Sequence, residues 1–364
     1  MLPEHWFALA ALAVALVALG FSIASWYTSR TAARALSEVA ALPPTAGAEG
    51  ELIAFVANPS KPDVADFEEI ARTMCREAAL PDPLWIETTP DDPGIGQTRE
   101  ALEKGAKLVV AVGGDGTVRA VAEALVDTGT PMALVPSGTG NLLARNLDVP
   151  VGDHIRALRR VIAGVDRTID VGWMTVTEWA EGEEPEDPDA EFIFLVIGGL
   201  GFDAAMVADT DDQLKARMGW MAYFFSGVRH LHGRRMRTQI TIDDHEPVEA
   251  RLRSLMIGNC GRLPGGINLI PDAVIDDGIL DVTAIDTRGG IAGWAQLFGE
   301  VVMQGFGVSN DLPAKIGKIE HARARTVTVR VEEGQQAQVD GDLIGKAVEL
   351  KARVQPSSLV VRTA

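Results

Sequence analysis

Gly113-Gly114-Asp115-Gly116-Thr117 stands directly after the apolar run Leu108–Val112 (LVVAV) and just before a helical pattern that begins near Val118. Glycines at the mouth of a buried strand let backbone N–H groups approach phosphate oxygens, and the first turn of the next helix adds partial positive charge. An aspartate inside such an anion site predicts a cation. Mg2+ bridging nucleotide phosphates, held by Asp115 directly or through water, reconciles the carboxylate with the phosphates. A plain glycine turn with an aspartate cap explains a lone Gly-Asp-Gly equally well. The next strand weakens that alternative. Pro136-Ser137-Gly138-Thr139-Gly140-Asn141 repeats the arrangement: Gly138 and Gly140 free the backbone, Thr139 and Asn141 offer hydrogen-bonding side chains, and Arg145 follows one helical turn later. Two neighbouring loops of this kind line one crevice.

The elements that position these loops are legible as alternating runs. Leu52–Ala57, Trp85–Thr88, Leu108–Val112 and Met132–Val135 read as short strands, most of them apolar throughout. Between and after them, Val64–Ala79, Arg99–Lys104, Val118–Asp127 and the segment following Asn141 read as helices. Alternation of this type predicts an α/β, doubly wound nucleotide-binding domain over residues 51–165, with ligands at the strand C-termini. Beyond Asp166 the texture changes. Thr168–Val176, Phe192–Ile197, Thr238–Ile242, Arg251–Ile257, Leu280–Ile285, Thr326–Val331 and Ala347–Leu350 read as strands of a second, β-rich antiparallel sandwich domain, residues 166–353. Residues 354–364 are a candidate return to the first domain. Glu178–Glu191 carries eight carboxylates and reads as a solvated loop between two strands.

Composition narrows the partners. Among 364 residues, 33 Lys and Arg face 51 Asp and Glu, a formal net charge of −18. Such a chain lacks the basic footprint that nucleic acid requires, but a single nucleotide needs only a few local donors. Cys75 and Cys260 fit no metal-ligand spacing and read as reduced, buried thiols.

No charged side chain occurs from Trp6 to Ser29. As a helix that stretch spans about 36 Å at roughly 1.5 Å per residue, enough for one membrane crossing. Trp6 at one end and Trp26-Tyr27 at the other suit interfacial anchors, and Arg30 and Arg34 place the following body in the cytoplasm. Residues 1–30 thus read as a transmembrane anchor of a single-pass, cell-membrane protein, and residues 31–50 as a linker. A cleaved signal peptide would want Lys or Arg in the first five residues, where there is none; a buried core helix is the other alternative. Trp220–Arg237, apolar and aromatic at first and arginine-rich at its end, reads either as an interfacial helix on anionic headgroups or as a helix packed on the second domain.

GGDGT followed by PSGTGNLLAR resembles the catalytic domain of the diacylglycerol kinase and sphingosine kinase superfamily, which includes bacterial lipid kinases. The likeness runs from about Leu52 to the C-terminus. It implies a nucleotide loop at Asn58-Pro59-Ser60-Lys61, where Pro62-Asp63 replaces the family's usual glycine, and a nucleotide contact at Thr88 or Thr89. Gly113, Gly114, Asp115, Gly116, Thr117, Gly138, Thr139 and Asn141 complete the implied nucleotide site. Pro271–Asp281 resembles the second-domain signature, implying a structural Mg2+ on Val274, Asp277 and Ile279, with a tight Asp-Gly turn as the alternative. Asp340-Gly341-Asp342 is similar to the family's Asp-Gly-Glu, which implies Asp342, one methylene shorter, as general base on the lipid hydroxyl; Asp340 competes for that role, and a plain hairpin turn is the third reading.

These expectations converge on ATP and Mg2+ as cofactors, Asp115 and Asp342 as catalytic residues, and transfer of the ATP γ-phosphoryl to a membrane lipid hydroxyl, diacylglycerol preferred. An NAD kinase and an inactive lipid-binding relative are the alternatives.

Overall fold

Three strands whose side chains are buried on both faces set the centre of the N-terminal lobe. They are β1 (Ile53–Ala57), β3 (Leu108–Gly113) and β4 (Met132–Pro136), each buried at every position. The computed structural model describes residues 50–61, 64, 66–201, 235–263, 267, 268, 270, 272–287 and 317–363. The expected anchor and linker (residues 1–49) and residues 220–234 of the expected interfacial helix lie outside the described residues. Among the described residues no helix is long and apolar enough to cross a membrane.

With β2 (Leu84–Glu87), the three strands run parallel in the order β4-β3-β1-β2. Strands apolar on both faces need cover on both, and the crossover helices supply it. Helix α1 (Phe67–Glu77) turns Phe67, Ala71 and Cys75 inward at i, i+4, i+8, and Phe67 meets Phe55 edge-on beside Trp85. Helix α2 (Ile95–Glu103) starts earlier than its apolar spacing suggests. The Asp92 carboxylate takes the N–H of Gly94 at 3.1 Å and of Gly96 at 3.0 Å, organising the first turn. Helix α3 (Asp115–Leu125) also starts early, so the last three residues of GGDGT are already helical. Two further helices, α4 (Leu142–Asn146) and α5 (His154–Ala163), follow β4. The side chain of Asp153 caps α5 by accepting from Arg156 N at 2.9 Å.

The rest of the described chain is antiparallel and β-rich, as its texture predicts. Its strands are β5 (Val165–Trp179), β6 (Glu191–Phe194), β7 (Ile197–Leu200), β8 (Met236–Ile242), β9 (Val248–Leu252), β10 (Ser254–Gly258), β11 (Arg262–Leu263), β12 (Ile267–Asn268), β13 (Leu280–Thr287), β14 (Gly317–Ala324), β15 (Thr326–Val339) and β16 (Asp342–Thr363). The acidic stretch lies between β5 and β6 as a loop. Phe192–Ile197, expected as one strand, is two, because a side chain rather than a neighbouring strand binds the N–H groups of Leu195 and Val196.

Hydrogen bonding is continuous between the lobes. The path β14-β13-β10-β7-β15-β16-β4-β3-β1-β2 joins them, with β16 beside β4 in parallel at Val361↔Met132. Two long strands carry the junction. Ile169 and Val171 of β5, with Leu359 and Val361 of β16, belong to the core around β1, β3 and β4. Met174 and Val176, with Leu350, Ala352 and Val354, belong to the second core. Each strand is thus anchored in both lobes, which fixes the loops of one lobe against the turns of the other.

Candidate nucleotide and catalytic site

The C-terminal ends of β1, β2, β3 and β4 present Asn58, Thr89, Gly113–Thr117 and Ser137–Asn141 along one edge of the parallel sheet, where ligands of such sheets sit. The two glycine loops are in direct contact. Ser137 N donates to Gly113 O at 2.8 Å, and a Cβ built on Gly138 would lie 2.6 Å from the Cα of Gly114. No side chain fits between these backbones. Asn141 holds its loop in shape from a left-handed conformation (φ 50°): Gly138 N donates to its Oδ1 at 2.9 Å, and its Nδ2 donates to Gly138 O at 2.7 Å. Asn58 reaches from the first loop, with Nδ2 3.5 Å from Thr117 Oγ1, while Oδ1 accepts from Ser60 N at 3.0 Å and Ser60 Oγ at 2.7 Å. Lys61 closes the same turn, its N–H donating to Asn58 O. Thr139 is exposed between the glycines. Thr89 accepts from Asp92 N at 3.1 Å, which ties it to its own turn.

Asp115 lies between the two loops and bonds to the second. Both of its oxygens accept backbone N–H groups of the second loop, Oδ2 from Asn141 at 2.8 Å and Oδ1 from Leu142 at 2.6 Å. Its carboxylate ties loop to loop and caps α4. Burial pushes this carboxyl up to about 6, against the N–H groups of Leu142 and Asn141 and with the charge of Asp340 adding to the rise. A carboxyl raised in the fold contributes stability that is complete below its unfolded value and is lost as pH rises through about 6. Melting curves between about pH 4 and pH 7 are therefore expected to show wild type losing stability with rising pH relative to Asp115→Asn. Equal pH slopes for the two proteins would remove this account.

Across the crevice stands the β15–β16 hairpin. Asp340 (φ 48°) and Gly341 (φ 90°) both take positive φ between the paired Val339 and Asp342, the signature of a type I′ turn. Asp-Gly-Asp thus forms a two-residue hairpin, and the turn divides the two carboxylates. Asp340 points inward: Leu195 N donates to Oδ2 at 2.7 Å, and Val196 N and Ile197 N donate to Oδ1 at 2.9 Å each. Burial pushes its carboxyl up, opposed by these donors and by Arg119. Held this way, Asp340 does not compete for a substrate proton. Asp342 points into the crevice, its Oδ2 3.7 Å from the position of a Cβ on Gly116. Arg119 of α3 holds that oxygen at 2.6 Å and donates from Nη1 to Val339 O at 2.9 Å. Nothing in the sequence marks Arg119, because its partners lie more than two hundred positions away.

Residues 60–174 match the diacylglycerol kinase catalytic domain family, and residues 197–363 match the YegS C-terminal NAD kinase beta sandwich-like domain. A protein of Pseudomonas fluorescens (strain Pf0-1), named "Probable lipid kinase YegS-like", is 31% identical over 260 residues, covering 70% of this chain and 75% of that one. The chain belongs to the diacylglycerol kinase-like superfamily. A "Diacylglycerol kinase" of Mycobacterium tuberculosis is 30% identical over 184 residues, covering 50% of this chain and 56% of that protein. An uncharacterised Synechocystis protein is 27% identical, and the chain spans 54% of it, so these two relatives are matched over about half their length. A crystal structure titled as a diacylglycerol kinase from Bacillus anthracis shares the fold, with a TM-score of 0.64 at 21% identity, covering 86% of this chain and 97% of that one.

The Asp277 carboxylate, on which the superfamily resemblance implies a structural Mg2+, is engaged by this chain's own groups. Asp277 Oδ1 accepts from Ile279 N at 3.1 Å, and Oδ2 is ion-paired with Arg323 of β14. Val274 is about half exposed. Arg323 stands opposite Asp281 in the β13–β14 register, and its charge opposes the rise that burial gives the Asp281 carboxyl. The loop is held from beneath by Asp170, buried, which accepts from Gly278 N at 2.6 Å and Ser357 N at 2.7 Å. Sequence reading misses Asp170 because a single aspartate inside a strand has no local signature. Stripping divalent cations with a chelator is expected to leave the melting temperature of wild type unchanged, and Arg323→Gln, at a half-exposed pair, should cost no more than about 1 kcal/mol. A large chelator-induced drop in wild type would show that a metal is held there.

Proposed function

We propose that this protein transfers the γ-phosphoryl group of ATP to the hydroxyl of a membrane lipid, with diacylglycerol the first acceptor to try. One observation carries the reading: the Asp342 carboxylate stands against Gly116, so a proton acceptor adjoins the backbone of the phosphate loop. The N–H groups of the first turn of α3, unpaired within the helix, face the phosphate end of a nucleotide lying along the strand tips. ATP arrives as its Mg2+ complex, the ion supplying charge neutralisation on the phosphates; this chain contributes orientation through the two loops. The lipid hydroxyl oxygen forms a bond to γ-phosphorus as the bond to the bridging oxygen of ADP breaks, and the hydroxyl proton passes to Asp342.

The named mycobacterial relative supports diacylglycerol, and the uncharged stretch Trp6–Ser29 supports a single membrane anchor with the body on the cytoplasmic side. Incubating the full chain with MgATP and membrane lipid extract, then screening by mass spectrometry, is expected to show phosphate-bearing products of a hydroxylated lipid. Phosphorylation of NAD with no lipid product would overturn the reading, and so would turnover of neither. Deletion of residues 1–30 should release the protein from the membrane fraction; retention there would remove the anchor.

A further inference from the structure

Asp342 is half exposed, on the strand side of a two-residue turn, and by itself would sample several rotamers. The structure shows it in one place. Its oxygen is fixed by Arg119, which rises from α3 one turn beyond Asp115, on the face that meets the hairpin. The guanidinium is itself mostly buried, with 20% of its side chain exposed, and Asp342 is the exposed partner. Its second nitrogen binds Val339 O, so one planar group reaches both the carboxylate and the backbone of the turn that carries it. Three acidic groups face it: Asp342 directly, Asp340 behind the turn, and Glu123 one helical turn along α3.

Resting on the lipid kinase reading above, we infer that Arg119 is the positioning residue that fixes Asp342 over the phosphate loop. Its logic is mechanical. The helix whose N-terminus forms the phosphate loop also carries the clamp, so the separation of base and phosphate is set within one rigid element. The guanidinium engages Oδ2 and leaves Oδ1 to take the proton. The arrangement also suits a base one methylene shorter than the family's glutamate, because the short side chain has less reach and depends more on being held. Lysine at 119 would keep the charge but lose the fork, so it would hold carboxylate or carbonyl but not both in this geometry.

The test uses the full chain with MgATP and diacylglycerol in mixed micelles. Arg119→Gln is expected to lower kcat by roughly 10- to 100-fold while KM for ATP stays within about twofold, because misplacement of a catalytic group costs on that order. Arg119→Lys should recover part of the loss, and added guanidinium should partly rescue Arg119→Ala. An unchanged kcat overturns the inference; so does a loss that appears only in KM for ATP, or one that neither lysine nor guanidinium relieves. Should wild type phosphorylate no lipid, the lipid kinase reading fails on its own, and the clamp is then judged by melting. Arg119→Gln, Asp342→Asn and the double variant form a cycle, in which non-additive shifts establish the clamp and additive shifts overturn it.

Discussion

Asp342→Asn will abolish most phosphoryl transfer while leaving the protein folded. Loss of a general base costs roughly 10²–10⁴-fold in turnover. The amide keeps the shape of the carboxylate and can still accept from Arg119, so the hairpin stays in place. Stability should hardly move, since the side chain is 57% exposed and an ion pair at such a site is worth about 0–1 kcal/mol. Steady-state rates beside melting curves check both halves. Near wild-type turnover would show that the proton leaves by another route and that Asp342 is only the near side of a turn. Asp342→Glu is the useful contrast, because it retains a carboxylate and should retain most of the activity.

Asp340→Asn is expected to do the reverse, damaging the fold first. The carboxylate accepts three N–H groups at a buried position. Asparagine suits the left-handed backbone of this position, so the substitution isolates the loss of acceptor capacity. Its amide nitrogen has to face an N–H group of Leu195 or of Val196 and Ile197, leaving donor against donor. The cost is about 3 kcal/mol, in the range for unsatisfied buried groups and a lost charged acceptor. Denaturant melts will measure it. A shift under about 0.5 kcal/mol would show that the three donors find other partners, as ordinary surface substitutions behave. The two aspartates of one turn, two residues apart, should therefore separate cleanly into a rate effect and a stability effect.

What the sequence made legible follows the range over which each signal acts. The fully apolar runs around Phe55, Val110 and Leu134 announced buried parallel strands, and the glycines after two of them announced close backbone approach; both are local patterns. Helix α5 was readable in principle from Asp153 followed by Ala157, Leu158 and Val161 at helical spacing, although its arginines blur the apolar stripe. The roles of Asp115, Asp340 and Arg119 were not readable. Each is fixed by a partner distant in the chain: Asp115 by the next loop, Asp340 by the break between β6 and β7, Arg119 by the turn before β16. For the same reason the ion pair of Asp277 with Arg323, 46 positions away, was not readable. Residue type sets what a side chain can bond; the fold decides with whom.

The route of β16 has a consequence for how this protein is made. The strand beside Met132 arrives only with Val361, and β5 finds its partner along nearly its whole length in the same late segment. A ribosome that has finished the nucleotide loops has therefore left their sheet with an open edge. That edge stays exposed until Val361 has been synthesised, a situation that invites pairing with other chains. Expression of the first lobe alone should yield an aggregating fragment, and a helper that shields strand edges should raise the yield of the whole.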